Sequence, residues 1–323
     1  MTAASTKSGA VAFKAATPTV FIDGEAGTTG LEIRERLAGL DGLAVRSIDA
    51  AARKDPAARK ALMAEVDLIV LCLPDDAARD AVALADSLGG DAPRIVDAST
   101  AHRVAEGWAY GFAELDAKQP DVIRQARHVA NPGCYPTGAI ALVRPLVDAG
   151  LMPADYPVTV NAVSGYSGGG RSMIEAYEAG SAPLFELYGL GLEHKHIPEL
   201  MAFGRLTRRP IFVPSVGNFR QGMLVSIPLH LDTLPGKPSA SDLEAALTTH
   251  YATAKQVTVQ PAAAHKGRLD ALALNDTDKL ELFVFANDAH RQAVLVARLD
   301  NLGKGAAGAA VQNIGLMLGL GGA

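Results

Sequence analysis

The alternation of strand and helix patterns through the first half of the chain constrains the fold most strongly. "TPTVFIDG" predicts a buried strand, "TTGLEIRERLAGL" a helix, and "LAVRSID" and "DLIVLCLP" two further strands. "DDAARDAVALADSL" follows as a helix and "RIVDAST" as another strand. Nearly continuous apolar strands suit a parallel sheet that is covered on both faces. The first half therefore predicts βαβ units in a doubly wound α/β domain of the Rossmann type.

The pattern changes after Leu151, where strands are separated by few helices. "PVTVNAVSG", "RPIFVPSV", "MLVSIPLHL", "QVTVQP", "KLELFVFAN" and "AVLVARLD" predict strands, and "SDLEAALTTHYA" predicts a helix capped by Ser241 or Asp242. This pattern of strands with few helices predicts an α+β domain with a mixed or antiparallel sheet. A length of 323 residues is consistent with two domains.

Composition excludes some partners. The net charge of -5 argues against duplex nucleic acid, which usually needs a basic face. No apolar run approaches the roughly 20 residues of a membrane span, so we expect no membrane insertion. The only two cysteines, Cys72 and Cys134, cannot form a disulfide framework, which favours a reducing, cytoplasmic setting.

A glycine-rich turn joins the first strand to the first helix. Gly24, Gly27 and Gly30 give a G-x-x-G-x-x-G spacing, a variant of the usual G-x-G-x-x-G fingerprint. Such glycines permit a tight turn, and the helix N-terminus presents free N–H groups to a pyrophosphate. Thr28 and Thr29 add hydroxyl donors. The turn predicts a dinucleotide site, the alternative being an ordinary glycine-rich connection.

The choice of dinucleotide rests on the segment after the second strand. Asp49 lies where an acid would bind the ribose hydroxyl of NAD. Arg53 and Lys54 follow directly and offer cationic donors to a 2′-phosphate. We favour NADP(H) and leave open that Arg53 and Lys54 are solvated charges.

A cysteine follows Asn-Pro-Gly at the start of a helical pattern. Cys134 is therefore predicted at a helix N-terminus, where the dipole and free N–H groups lower a thiol pKa and can hold an oxyanion. The position suits a covalent nucleophile, the alternative being a buried structural cysteine. Cys72, in "LIVLCLP", is predicted to be a core residue.

Two histidines and an acid form a cluster in "LGLEHKHIPEL". If the segment is extended, His194 and His196 point the same way, so that one faces the thiol while Glu199 orients it. The same three residues are also a candidate metal site, but no further cluster has suitable spacing, and we expect no metal.

Two arginines are candidates for an anionic substrate. Arg103 follows the carboxyl end of a strand, where ligands bind in such sheets, and we assign Ser99 of the same segment to the substrate with it. Arg171 lies in "SGYSGGGRSM". That segment also contains Ser167 in a G-x-S-x-G pattern, so a serine hydrolase is an alternative. A nucleotide-binding sensor without catalysis is another.

Seven segments together resemble the N-acetyl-gamma-glutamyl-phosphate reductases of arginine biosynthesis, in their shorter type. They are "FIDGEAGTTGLEIRERL", "LCLPDDAARDAV", "DASTAHR", "NPGCYPTGAIALVRPL", "SGYSGGGR", "HKHIPEL" and "KGAAGAAVQNIGLMLGL". The resemblance runs from about residue 18 to residue 320. It extends to the related aspartate-semialdehyde dehydrogenases.

The resemblance implies a reaction and a division of the chain. NADPH would reduce N-acetylglutamyl phosphate to its semialdehyde through a Cys134 thioester, with His196 as acid–base and Asn313 near the cofactor. The division is a dinucleotide-binding domain at 17–131 plus 301–323 and a catalytic and oligomerisation domain at 132–300. Residues 1–16 are predicted to be a disordered leader, because Ala, Ser, Thr and Lys there lack a pattern. The family also implies a homodimer or homotetramer. A relative that reduces a carrier-bound aminoadipyl phosphate shares the machinery.

Overall fold

A computed structural model describes residues 17–320, so the predicted leader 1–16 and the last three residues lie outside the described part. Within that part, the chain forms two sheets. One long buried helix connects them, and the last helix packs back onto the first sheet. No helix in residues 17–320 is both long and apolar enough to cross a membrane.

The first sheet has six parallel strands within the described residues, in the order β2-β1-β3-β4-β6-β5. Its strands are β1 Thr19–Asp23, β2 Ala44–Arg46, β3 Leu68–Leu71, β4 Arg94–Asp97, β5 Ala109–Tyr110 and β6 His128–Ala130. The helices beside it are α1 Thr28–Ala38, α2 Pro56–Glu65, α3 Asp75–Asp86 and α4 Gln119–Gln125.

The second sheet has seven strands within the described residues, in the order β11-β12-β13-β10-β7-β9-β8. Two of its pairs are parallel and the others antiparallel. Its strands are β7 Thr159–Gly165, β8 Phe185–Leu187, β9 Ile211–Gly217, β10 Met223–His230, β11 Val257–Val259, β12 Leu280–Asn287 and β13 Gln292–Leu299. These two sheets confirm the predicted α/β domain and the mixed-sheet α+β domain.

The remaining helices cover the second sheet and close the first. They are α5 Cys134–Asp148, α6 Arg171–Glu178, α7 Ile197–Gly204, α8 Ala240–His250 and α9 Gly308–Leu318. Helix α5 is apolar around most of its circumference, as expected of a helix buried in a core, and it packs with the second sheet. Helix α9 instead joins the core of the first sheet. The division into 17–131 plus 301–323 and 132–300 stays a prediction.

Helix α1 buries Gly30, Ile33 and Leu37, and Gly30 packs on the glycine turn, since a Cβ there would lie 2.5 Å from the Gly24 oxygen. One local prediction was wrong: the cap of α8 is Ser239, two or three residues before the predicted Ser241 or Asp242, and it forms a capping box with Asp242.

Candidate active site

A cleft of about 440 Å³ lies between the two sheets, and we call it the central cleft. The first-sheet side contributes the N-terminus of α1 and the ends of β4 and β6. The second-sheet side contributes the start of α5, the loop after β7, the histidine segment and the turn after β13. The lining residues used below are Thr28, Thr29, Ala98, Arg103, Asn131, Gly133, Cys134, Ser167, His194, Lys195, His196, Gly305 and Ala306.

The glycine turn of α1 is built as its spacing predicts. Gly24 has φ +91°, and a Cβ there would meet the Cys72 carbonyl oxygen. A Cβ on Gly30 would lie 2.5 Å from the Gly24 oxygen, so the helix packs on the turn only without a side chain. Gly27 caps α1 in an extended conformation, with no side-chain hydrogen bond to the first N–H groups. Thr28 and Thr29 follow it and line the central cleft.

The N-terminus of α5 opens on the same cleft. Its cap, Gly133, is extended and also lacks a side-chain hydrogen bond. A Cβ on Gly133 would lie 2.5 Å from Arg103 Nη1, 2.7 Å from Glu199 Oε1 and 2.9 Å from His196 Nε2. The backbone before Cys134 is therefore enclosed by three charged or titratable side chains.

The protonation state of Cys134 corrects the expectation from its helix position. Burial raises the pKa of the Cys134 thiol to about 11, although Arg103 and the Tyr135 backbone N–H act in the opposite direction. The helix N-terminus stabilises the thiolate, as predicted, but burial destabilises the thiolate by more. The cysteine is accordingly a neutral thiol at neutral pH.

His196 lies beside the cap of α5. Its Nε2 lies beside Gly133, while its Nδ1 is buried with no hydrogen-bond partner among the described residues. Burial, with Arg103, His194 and Lys195 nearby, holds the pKa of His196 well below its usual value. His196 is therefore a neutral imidazole.

His194 occupies a different position from the one expected. The segment is a turn leading into α7 and is not extended, so the two histidines do not simply point the same way. The backbone N–H of His196 donates to His194 Nδ1 at 3.1 Å, and the ring centres are 4.6 Å apart. Burial lowers the pKa of His194 to about 4, so it is also neutral. His194 fixes the turn that places His196.

Glu199 contacts Arg103 and not a histidine, which corrects the expectation that it orients the base. The carboxylate is 1% exposed and accepts hydrogen bonds from Arg103 Nη1, from Tyr110 Oη at 2.8 Å and from the Gly133 N–H at 3.0 Å. Arg103 also donates through Nε to the Asn131 oxygen at 3.1 Å. Removing one partner of such a buried pair costs about 3–5 kcal/mol of folding free energy.

Two predicted substrate residues lie away from the central cleft. Ser99 donates its hydroxyl to Asp97 Oδ2 at 2.8 Å and stabilises the turn after β4. Arg171 is the first residue of α6, 83% exposed at its side chain, and forms an ion pair with Glu175 at 3.2 Å. Arg171 lines a neighbouring cavity of about 300 Å³ beside Gly27 and Thr28. The glycines before it turn the chain so that its side chain leaves the cleft.

Asn313 joins α9 to the end of β6. It is fully buried, and its Nδ2 donates to the Gly111 oxygen at 2.9 Å and to Asn131 Oδ1 at 3.0 Å. Asn131 in turn donates to the Ala306 oxygen at 3.0 Å. Asn313 is thus one residue removed from the cleft and reaches it through Asn131.

The residues assigned to the 2′-phosphate are exposed. Arg53 and Lys54 lie in the loop after β2, and within residues 17–320 neither has an ion-pair partner. The Asp49 carboxylate accepts the Ala51 N–H at 2.8 Å. Two cations without partners thus lie next to an acid that is already hydrogen-bonded.

The geometry gives little support to the two alternatives, a serine hydrolase and a metal site. Ser167 is buried, and its hydroxyl accepts a hydrogen bond from Asn301 Nδ2 at 2.9 Å instead of facing a base. Within residues 17–320, no group of three or more His, Cys, Asp or Glu side chains is arranged to hold a metal ion.

Sequence reasoning missed two residues of the cleft. Lys195, between the two histidines, is exposed and lines the cleft, and none of the described lining residues is Asp or Glu. Gly305 packs against Cys134, since a Cβ there would lie 2.9 Å from Cys134 Cβ. Lys195 could have been predicted, because it is a cation between two histidines that were already candidate site residues. The sequence carried no comparable signal for Gly305, because its contact depends on the return of the chain after β13.

Comparison with known proteins agrees with this arrangement. Residues 134–301 match the family described as semialdehyde dehydrogenase, dimerisation domain. The chain is 54% identical over 308 residues to the N-acetyl-gamma-glutamyl-phosphate reductase of Chelativorans sp. (strain BNC1), covering 94% of this chain and 98% of that protein. It is 57% identical over 309 residues to the reductase of the same name from Brucella ovis, covering 94% and 99%.

Solved structures show the same fold at low sequence identity. The aspartate semialdehyde dehydrogenase of Francisella tularensis has a TM-score of 0.70 at 12% identity, covering 93% of this chain and 100% of that one. The Candida albicans enzyme, solved with NADP, has a TM-score of 0.65 at 14% identity, covering 94% and 99%. The fold, the family match and the close relatives lead to one conclusion: the chain is an oxidoreductase that belongs to the N-acetyl-gamma-glutamyl-phosphate reductase family.

Proposed function

We propose that this protein reduces N-acetylglutamyl phosphate to N-acetylglutamate semialdehyde with NADPH, through a thioester on Cys134, as a step of arginine biosynthesis. The observation that carries the proposal is the shared cleft: Thr28 and Thr29 of the glycine turn line the same cavity as Cys134, Arg103 and His196. The relatives named as this reductase supply the substrate. The two free cysteines are consistent with a cytoplasmic location.

The chain has the features that a dinucleotide needs. The uncapped N-terminus of α1 offers N–H groups to the pyrophosphate, and the close packing at Gly24 and Gly30 keeps side chains away from the turn. Arg53 and Lys54 would hold the 2′-phosphate, which favours NADP(H) over NAD(H). Asn313 would act on the cofactor through Asn131. When bound, the cofactor supplies the hydride that reduces the thioester carbon.

Cys134 and His196 would carry the covalent steps as a neutral pair. His196 takes the thiol proton as sulfur attacks the acyl carbon, and the carbon–oxygen bond to phosphate breaks. Phosphate leaves with that electron pair and takes a proton from water. After the thioester carbon is reduced, the carbon–sulfur bond breaks, and His196 returns its proton to sulfur as the aldehyde leaves. Free N–H groups at the start of α5 would stabilise the oxyanion in each step.

Two cations would bind the anionic substrate. Arg103 is fixed beside Cys134 by Glu199, so it would face the reacting acyl phosphate. Lys195 lies on the exposed side of the cleft, where its charge also acts on the Asp75 carboxylate without a direct ion pair, and it would face the carboxylate at the other end of the substrate. We therefore assign Lys195, rather than Arg171 or Ser99, to the substrate.

The reaction is tested most simply in reverse. The protein is mixed with N-acetylglutamate semialdehyde and NADP, with and without phosphate, and NADPH formation is followed by absorbance. Sustained turnover that requires phosphate supports the proposal. Turnover with a carrier-bound aminoadipyl semialdehyde but not with N-acetylglutamate semialdehyde would contradict the proposed substrate. NADP binding without turnover of either would favour the sensor.

An apolar face of the second sheet suggests how the protein assembles. A groove of about 680 Å³ lies on the face opposite α5 and includes Phe185, Leu187 and Val294, which are 57%, 49% and 39% exposed. Exposed apolar patches of this kind mark interfaces, and the matching family is described as a dimerisation domain. We propose a homodimer through this face, or a homotetramer that contains it. Light scattering after size exclusion checks the mass, and a monomer would contradict it.

A further inference from the structure

A fully buried lysine lies in the π-helical turn Gly303–Ala307, between β13 and α9. Lys304 is 1% exposed, and no step of the proposed reaction uses it. Its Nζ donates to Glu114 Oε2 at 2.6 Å, Gln312 Oε1 at 2.7 Å and Gln256 Oε1 at 2.9 Å. All three ammonium hydrogens therefore have an acceptor.

The three acceptors come from separate parts of the chain. Glu114 lies in the loop after β5 of the first sheet, and Gln256 directly precedes β11 of the second. Gln312 lies on α9 and also donates to Glu114 Oε1 at 2.9 Å. Lys304 consequently connects the two sheets and the C-terminal helix at one point.

The turn that carries Lys304 forms one wall of the central cleft. Gly305 and Ala306 line the cleft, and a Cβ on Gly305 would lie 2.9 Å from Cys134 Cβ. The Ala306 oxygen accepts a hydrogen bond from Asn131 Nδ2 at 3.0 Å. The residue next to Lys304 is thus in contact with the proposed nucleophile, so any shift of the turn changes the space around the thiol.

Stability alone does not account for a lysine in this place. Burying an ammonium ion and its carboxylate partner costs solvation free energy that their attraction often fails to recover, and an apolar side chain of similar length would fill the same volume. Directed hydrogen bonds to three segments add something that an apolar side chain lacks, which is a fixed position for the turn.

We propose that Lys304 is a positioning residue: its buried bonds to Glu114, Gln256 and Gln312 hold the Gly303–Ala307 turn against Cys134. The effect of Lys304 on catalysis rests on the proposed function. Its structural part concerns only the environment of the thiol, which is measurable without substrate or cofactor.

The test replaces the ion pair by a neutral pair in the full-length protein, Lys304→Met with Glu114→Gln. Loosening the turn should expose Cys134 and bring its pKa down towards the ordinary value. We expect alkylation of Cys134 by iodoacetamide at pH 7.5 to become about fivefold faster or more, measured by peptide mass spectrometry. We expect kcat to fall about 10- to 100-fold, because the thiol is less well placed.

The control neutralises an ion pair of α5, Arg144→Met with Asp116→Asn, in which Arg144 is buried and Asp116 is 39% exposed. Arg144 lies on α5, ten residues after Cys134 and about 15 Å along the helix. Its ion pair with Asp116 spans 3.1 Å and does not touch the central cleft. We expect this control to keep the wild-type alkylation rate at Cys134. An equal change in the control would contradict the proposal.

A milder variant keeps the test decisive if the double variant does not fold. Gln256→Leu removes one of the three bonds and leaves the ion pair in place, and we expect changes in the same directions but smaller. A wild-type alkylation rate at Cys134 in a folded variant that has lost the bonds overturns the proposal, whatever its kcat. Because alkylation needs no substrate, failure of the proposed reaction and failure of this inference give different results.

Discussion

The two helix N-termini that open on the central cleft have nearly the same local geometry and different surroundings. Gly27 caps α1 with φ -80° and ψ 162°, and Gly133 caps α5 with φ -75° and ψ 150°. Neither cap has a side-chain hydrogen bond. The first residues of α1 are partly exposed threonines, whereas α5 begins with a thiol whose cap is enclosed by Arg103, Glu199 and His196. The same local geometry is therefore proposed to bind an anion at α1 and to support covalent chemistry at α5.

The comparison shows that a helix terminus does not by itself determine chemistry. At α1 the free N–H groups lie at an open rim, where a phosphate can reach them. At α5 the same groups act on a buried thiol, and burial raises its pKa to about 11. The surroundings, supplied by segments distant in the chain, decide which effect prevails.

The largest expected difference between the two termini comes from filling the α5 cap. Gly133→Ala places a methyl group among Arg103, Glu199 and His196, which must move. Because displacing reacting groups by about 1 Å costs about 100-fold in rate, we expect kcat to fall by about that factor. Steady-state kinetics and a thermal melt check it. Wild-type kcat in a folded variant would show that this enclosure has no catalytic role.

The α1 turn offers a matched pair of glycine substitutions. Gly30→Ala would place Cβ 2.5 Å from the Gly24 oxygen, whereas Gly27→Ala would meet the same atom only at 3.4 Å. We expect KM for NADPH to rise about tenfold or more in Gly30→Ala, because the turn that presents N–H groups is distorted. The change should be much smaller in Gly27→Ala. Equal effects of the two substitutions would contradict the packing argument.

The pH dependence of alkylation separates the two influences on Cys134. Its pKa is raised, so the thiolate fraction is small at neutral pH and grows as pH rises towards about 11. We expect the iodoacetamide rate at Cys134 in the free protein to rise about tenfold per pH unit between pH 7 and 9. A rate that is already constant above pH 7 would mean that the helix terminus outweighs burial.

The smallest expected effect concerns the cation beside the α5 terminus. Lys195→Met should raise KM for the acyl substrate about threefold to tenfold, because an exposed charge is partly screened by water. KM for NADPH should stay unchanged, since Lys195 is assigned to the substrate. Lys195→Arg should recover most of the loss. A rise in KM for NADPH instead would assign the cation to the cofactor.

Features that depend on neighbouring residues were predictable from the sequence. The glycine spacing gave the α1 turn, apolar runs gave the buried strands, and Asn-Pro-Gly before Cys134 gave the start of α5. All six strands expected after Leu151 are present, from β7 to β13, and only the short β8 was missed. Short strands such as β5 and β8 carry too few residues for a periodic signal.

Features that depend on distant segments were not predictable. Glu199 is only a few residues from His196, yet it contacts Arg103 and Tyr110, which come from the other side of the cleft. The direction of the Cys134 pKa depends on burial that no local pattern encodes. Arg171 lies in a recognisable glycine-rich segment, but the path of that loop directs its side chain out of the cleft.

The proposed thioester between Cys134 and the acyl group can be detected by its mass. The protein is incubated with N-acetylglutamate semialdehyde and NADP in the absence of phosphate, and the intact chain is weighed by mass spectrometry. We expect an N-acetylglutamyl group on Cys134, formed with a burst of NADPH, lost on adding phosphate and absent from Cys134→Ala. Turnover by the wild type without any adduct on Cys134, or full turnover by Cys134→Ala, would contradict it.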